Sequence, residues 1–168
     1  MSEIALIAVL ALFPVSMMLA SIYDLFTMTI PNRITLALTI SFFVLAPIAG
    51  LPFEAMFWHV GLGFGVLVAC YGLFVLGVMG GGDAKLLAAS ALWLGPGVTL
   101  QYLLLAAFAG GVVTLAILVL RRNALPCSLL KVEWVTRLHD DRNGVPYGMA
   151  LGPAALFVFP ESVWMAML

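Results

Sequence analysis

The chain has 168 residues, 64% of them apolar and 9% charged, with a formal net charge of −1 and a mean hydropathy of +1.18. Soluble domains carry roughly 25% charged residues, so the soluble classes are excluded, and without a basic patch nothing suggests nucleic-acid binding. The composition predicts an all-α, polytopic membrane protein with little outside the bilayer and room for about six spans of roughly 20 residues.

The apolar runs in chain order are approximately 4–23, 34–51, 56–79, 84–95, 98–120 and 147–167. No Lys or Arg precedes Arg33, so the first run lacks the basic flank of a secretory signal and reads as a retained span. Pro31, Gly50 with Pro52, Gly80 to Gly82, Gly95 to Gly97 and Pro146 mark the breaks. The fourth run is short. It must cross a thinned region, begin outside the hydrocarbon and extend past Gly95, or be re-entrant and leave five spans.

The seven basic residues settle an expected orientation. Arg33 follows the first run, Lys85 follows the third, and Arg121, Arg122, Lys131, Arg137 and Arg142 lie between the fifth and sixth. With six spans, the positive-inside rule places both termini outside and these three loops in the cytoplasm. The expected organisation is one membrane-embedded domain, 1–168, with an interfacial loop at 121–146 that contains a short amphipathic helix.

Two aspartates stand out against this background. Asp24 closes the first span ahead of Ile30, Pro31 and Asn32, and Asp83 follows the glycine triplet Gly80-Gly81-Gly82. Ionisable groups at the ends of spans are costly and therefore functional suspects. Both fall on the cytoplasmic side at similar depth, so a shared site is geometrically allowed. Two carboxylates that meet are the minimum equipment for acid–base hydrolysis of a peptide bond. The competing readings are an interfacial Asp24 in contact with water and an Asp83 that caps the next helix. From helix ends alone Asp83 is assigned as base and Asp24 as acid, an assignment that a helix N-terminus at Asp24 would overturn.

The remaining polar residues read as structural. Lys85 is a snorkelling anchor on a different helix face from Asp83. Asn32 and Arg33 act as cap and cytoplasmic anchor of the second span. His59 and His139 lack partners at metal-ligand spacing, so no metal is expected. Cys70 and Cys127 predict no disulfide and form no Cys-x-x-Cys site. Gly61, Gly63 and Gly65 read as a small-residue ridge for helix packing. Asp140 and Asp141 are solvated, or attract a basic segment of a substrate.

Asp24 with Ile30-Pro31-Asn32, then Gly80-Gly81-Gly82-Asp83 with Lys85 and Leu86, resembles the type IV prepilin peptidases, membrane aspartyl proteases of the Gly-x-Gly-Asp class. The tail from Val145 to Leu151 resembles the start of the last span in the short members associated with tight-adherence (Flp) pili. The resemblance implies six helices, a bacterial inner membrane location, and removal of the leader from a pilin precursor at the cytoplasmic face. It carries Asp24 and Asp83 over as the catalytic pair, with Gly80, Gly81, Gly82 and Lys85 as substrate-binding loop, and needs no cofactor. Longer members have a cytoplasmic domain with four cysteines and methylate the new N-terminus; this chain has neither that domain nor those cysteines, so methylation is not expected. Where many relatives carry basic residues, this chain has Phe26, Thr27, Met28 and Thr29. The rival readings are a small proton- or cation-coupled transporter, in which the aspartates bind the ion, and a non-catalytic assembly subunit. The sequence gives no oligomeric state.

Overall fold

The computed structural model describes residues 3–126 and 129–167. Helix α1 spans Glu3–Thr27, α2 Asn32–Ala49, α3 Phe53–Val75, α4 Gly81–Leu94 and α5 Thr99–Arg122. A single 3-10 turn, Leu129–Lys131, leads into α6, Glu133–His139. Helix α7, Gly148–Val158, is followed by a 3-10 turn at Phe159–Glu161 and by α8, Val163–Ala166. No strand occurs among the described residues. Cys127 lies outside them, while Cys70 is buried on α3.

Five segments are long and apolar enough to cross a membrane: Ile7–Thr27, Asn32–Ala49, Phe53–Val75, Thr99–Arg122 and Gly148–Ala166. Their outer faces carry large apolar side chains such as Ile40, Phe64, Val68, Leu104 and Phe108 in exposed positions. A patch of this extent suits lipid rather than water. The last of these segments is not one straight helix. Pro160 falls in the 3-10 turn that breaks it, because proline has no N–H to continue the ladder, and the break turns Trp164 into the core.

Helix α4 differs in kind. Its 14 residues span about 21 Å at the helical rise, short of the roughly 30 Å hydrocarbon core. It does not extend past Gly95, which ends it with φ +72; a side chain there would also collide with the His59 ring. Every residue from Leu86 to Leu94 is buried, with α3 and α2 as its main neighbours and α7 a lesser one. The short fourth run thus survives in the interior, where protein rather than lipid surrounds it. On the other side, α7 packs between α1 and α5.

The end of the bundle around the C-terminus of α4 is an aromatic core. Phe13, Phe42, Trp93, Phe159 and Trp164 are buried there, with Phe13 stacked on Phe159 at 4.9 Å. The indole N–H of Trp93 donates to the Leu38 carbonyl at 2.8 Å, and that of Trp164 to the Trp93 carbonyl at 2.7 Å. His59 joins this core: Nδ1 donates to the Leu92 carbonyl at 2.9 Å and the ring stacks on Phe42. These three buried ring N–H groups thereby each have a partner, as burial requires. Asp83, and Asp24 beside the same cavity, are at the opposite end of α4.

The small-residue ridge is narrower than its spacing suggests. Gly63 faces α4, where a Cβ would lie 3.0 Å from the Leu92 Cβ, but Gly61 and Gly65 face open space. Positions two apart point to different sides of a helix, so only one of the three meets the neighbour.

Candidate active site

Asp24 and Asp83 line one cavity. It has a volume of about 260 Å³ and is walled by Met28, Thr29, Ile30, Asn32 and the glycines Gly80 to Gly82. Both aspartates are buried. The sequence placed them at similar depth; the fold brings both to one opening.

Asp24 comes from the last turn of α1, yet its carboxylate meets the start of another helix. The Gly148 N–H, in the first turn of α7, donates to Asp24 Oδ2 at 2.6 Å. First-turn amides have no intrahelical partner and suit a carboxylate. The approach depends on small residues. A Cβ on Gly148 would lie 2.8 Å from the Asp24 Cβ, and one on Gly152 would lie 2.7 Å from the Met17 carbonyl. Ser21 Oγ, one turn before Asp24, donates to the Gly148 carbonyl at 2.8 Å. The Gly148-x-x-x-Gly152 spacing is a small-residue packing signal that the sequence reading left unused.

Asp83 occupies the first turn of α4. Its carboxylate folds back on Gly80, where a Cβ would lie 2.8 Å from Oδ2. A Cβ on Gly82 would come within 3.2 Å of the Ile30 Cβ, so that glycine lets the Ile30–Pro31 segment lie on the start of α4. The triplet therefore serves close approach on two sides: the carboxylate on one, the α1–α2 turn on the other.

These positions overturn the assignment of base and acid from helix ends. Asp24 ends α1 but receives the N-terminus of α7, while Asp83 sits at the N-terminus of α4. Both carboxylates now face the positive end of a helix dipole, and that criterion no longer separates them.

Asn32 is not a cap either. The residue before α2 is Pro31, with φ −61 and ψ 130, and no side chain caps the helix. Asn32 Oδ1 instead accepts from Lys85 Nζ at 2.9 Å. Lys85 is exposed and lies outside the aspartate cavity. It lines a second, apolar groove of about 540 Å³ between α2, α3 and α4, whose walls include Leu36, Phe43, Phe64 and Ala88. Asn32 borders both openings, so the groove and the aspartate cavity meet at this residue.

The turn between α1 and α2 carries the one non-glycine left-handed residue among those described, Met28 with φ 54. That conformation costs roughly 1–2 kcal/mol for an L-residue and persists where its surroundings over-determine it. The Met28 N–H closes onto the Asp24 carbonyl at 2.7 Å, and Thr27 Oγ1 donates to the Tyr23 carbonyl at 2.7 Å.

The loop after α5 contains the expected short helix, α6, whose Val135 and Leu138 are buried. Asp140 is paired with Arg142 at 2.8 Å. The Arg142 guanidinium holds the Asp140 carboxyl down at about 2. Asp141 is exposed. Among the described residues, no three His, Cys, Asp or Glu side chains converge on a point where a metal ion would sit.

A helical membrane protein with two buried carboxylates on one glycine-walled cavity is thus defined by its geometry. The model of the type IV leader peptidase family matches residues 11–115, a stretch that contains both aspartates and the glycine triplet, and the chain belongs to that family. No curated protein and no solved structure matches it. Membership makes the chain a protease and leaves the transporter reading without support. Helices α6 and α7, with Gly148, lie beyond the matched stretch.

Proposed function

We propose that this protein is an aspartic endopeptidase that removes the leader from type IV, Flp-like prepilins at the cytoplasmic face of the bacterial inner membrane. The observation that carries the reading is the shared cavity of Asp24 and Asp83 beside the glycine loop. In this reading the chain crosses six times, α4 being the short, protein-enclosed crossing, with both termini outside. The basic residues Arg33, Lys85 and those from Arg121 to Arg142 support that orientation.

The reaction is hydrolysis without a covalent enzyme intermediate. The two carboxyls share one proton, since close carboxylates do not readily both ionise. The ionised one takes a proton from water as its oxygen attacks the scissile carbonyl carbon. The protonated one donates to the carbonyl oxygen. Collapse of the tetrahedral species breaks the C–N bond: the proton taken from water passes to the leaving amine, and one hydroxyl of the tetrahedral carbon returns its proton to the carboxylate that had donated one, restoring the shared proton. In this reading the amides of Gly81 and Gly82, in the unpaired first turn of α4, bind extended substrate backbone. The groove receives the substrate's apolar segment, and Lys85 acts at its mouth rather than on the scissile bond.

The test uses the full chain in membranes with a Flp-type prepilin, and mass spectrometry of the product. Asp24→Asn and Asp83→Asn should each lower cleavage by about 100- to 10,000-fold at normal expression. Lys85→Ala should raise KM and leave kcat within about twofold. Cleavage that persists in either Asn variant removes that residue from the mechanism.

A further inference from the structure

The last turn of α1 has carbonyls with no intrahelical partner, as every helix C-terminus does. The carbonyl of Phe26, two residues after Asp24, accepts from Arg137 Nη1 at 2.6 Å. The donor comes from α6, across 111 residues of sequence. The Phe26 ring meets Trp134 of the same helix edge-on, with centroids 5.5 Å apart. One short helix therefore holds the end of α1 at two points.

Helix α6 is itself fixed. Arg121, in the last turn of α5, donates from Nε to the Leu138 carbonyl at 2.9 Å and from Nη2 to the carbonyls of Asn143 and Gly144. Asn143 Nδ2 closes back on the Arg137 carbonyl at 3.0 Å. A continuous set of bonds thus runs from the end of α5 through α6 to the end of α1. It arrives next to Met28, the left-handed residue, and Met28, Thr29 and Ile30 form one wall of the aspartate cavity. A strained turn needs such external holding, and a guanidinium on a helix C-terminal carbonyl is a charge-assisted bond that also complements the dipole.

We infer that Arg137, with Trp134, is a positioning residue for the aspartate pair: it fixes the Phe26–Ile30 turn so that Asp24 stays directed at the cavity it shares with Asp83. The inference rests on the leader-peptidase reading for its activity consequence, while the clamp itself is measurable without cleavage. Arg137 does not line the cavity, and it acts through the backbone of α1 and not on substrate.

The experiment combines kinetics and amide hydrogen exchange on the full chain in nanodiscs, with a Flp-type prepilin as substrate. Arg137→Ala should lower kcat about 10- to 100-fold, the scale of a small misplacement of a reacting group, with KM within about twofold. Exchange at residues 26–30 should become faster. Arg137→Lys keeps a charged donor and should recover much of both. Arg122→Ala, which removes a neighbouring exposed charge, should change neither. Unchanged kcat and unchanged exchange in Arg137→Ala overturn the inference. So does a rise in KM alone, which would make Arg137 a substrate contact. If the wild type cleaves no prepilin, the peptidase reading fails separately and exchange alone decides the clamp: faster exchange sustains it and unchanged exchange overturns it.

Discussion

The amide of Gly148 donates to Asp24 Oδ2 at 2.6 Å, tying the last turn of α1 to the first turn of α7. This bond depends on a glycine. A Cβ at 148 would sit 2.8 Å from both the Asp24 Cβ and its Oδ2, so the two helices must separate or the carboxylate must turn away. Gly148→Ala should therefore lower cleavage about 100-fold, as misplacement of a reacting group does. Expression and helix content by circular dichroism should stay near wild type. Cleavage at the wild-type rate would show that this contact does not position Asp24.

The three glycines of α3 should separate sharply on substitution by alanine. At Gly63 the added methyl would press on Leu92 at 3.0 Å, whereas Gly61 and Gly65 have nothing within 4 Å. Overpacking of a tight site costs about 1–3 kcal/mol; an unobstructed glycine in a helix gains about 0.5–1 kcal/mol from alanine. Thermal unfolding in detergent should rank Gly63→Ala below wild type and the other two at or above it. Equal behaviour of all three would contradict the packing of α3 on α4.

Met28 offers a test of the strained turn. Its φ of 54 is free of penalty for glycine, so Met28→Gly should preserve activity and relieve up to about 1–2 kcal/mol of strain, less the greater entropy that glycine loses on folding. Met28→Val should be worse than either, because a β-branched side chain resists the left-handed region most. Parallel measurements of melting temperature and cleavage check the order Gly, Met, Val.

The Asp140–Arg142 pair carries a pH dependence with a definite sign. The folded carboxyl titrates at about 2, below its ordinary 3.8, chiefly through the Arg142 hydrogen bond. A depressed carboxylate favours the folded loop at any pH above about 4 and loses that contribution as pH falls from about 4 to about 2. Carbon-detected NMR of labelled aspartate should show Asp140 still ionised at pH 3, and Arg142→Ala should move its midpoint up toward 3.8. Arg142 is exposed and Asp140 only half-buried, so global stability should barely respond to the substitution.

Much of this architecture was legible because its cause is local. Long continuous apolar runs become helices in a bilayer, since lipid leaves only helices and closed barrels to satisfy the backbone and barrel strands are short and alternating, and α1 to α5 fall close to the runs read from composition. Gly95 ends α4, and Pro31 and Gly80 stand immediately before the starts of α2 and α4, as their backbone chemistry favours. Asp24 and Asp83 were conspicuous for the cost of a carboxylate in such surroundings. Partnership between distant segments was not legible. The Gly148 amide reaches Asp24 across 124 residues, Arg137 reaches Phe26 across 111, and Lys85 selects Asn32 across 53. Composition and period report what one element presents; they carry no term for which element lies opposite. The sequence alone determined a helical membrane protein with two suspect carboxylates. Only tertiary packing decided that both carboxylates line one cavity, that Asp24 meets the N-terminus of α7, and that α6 holds the end of α1, because each depends on how closely particular helices approach in three dimensions.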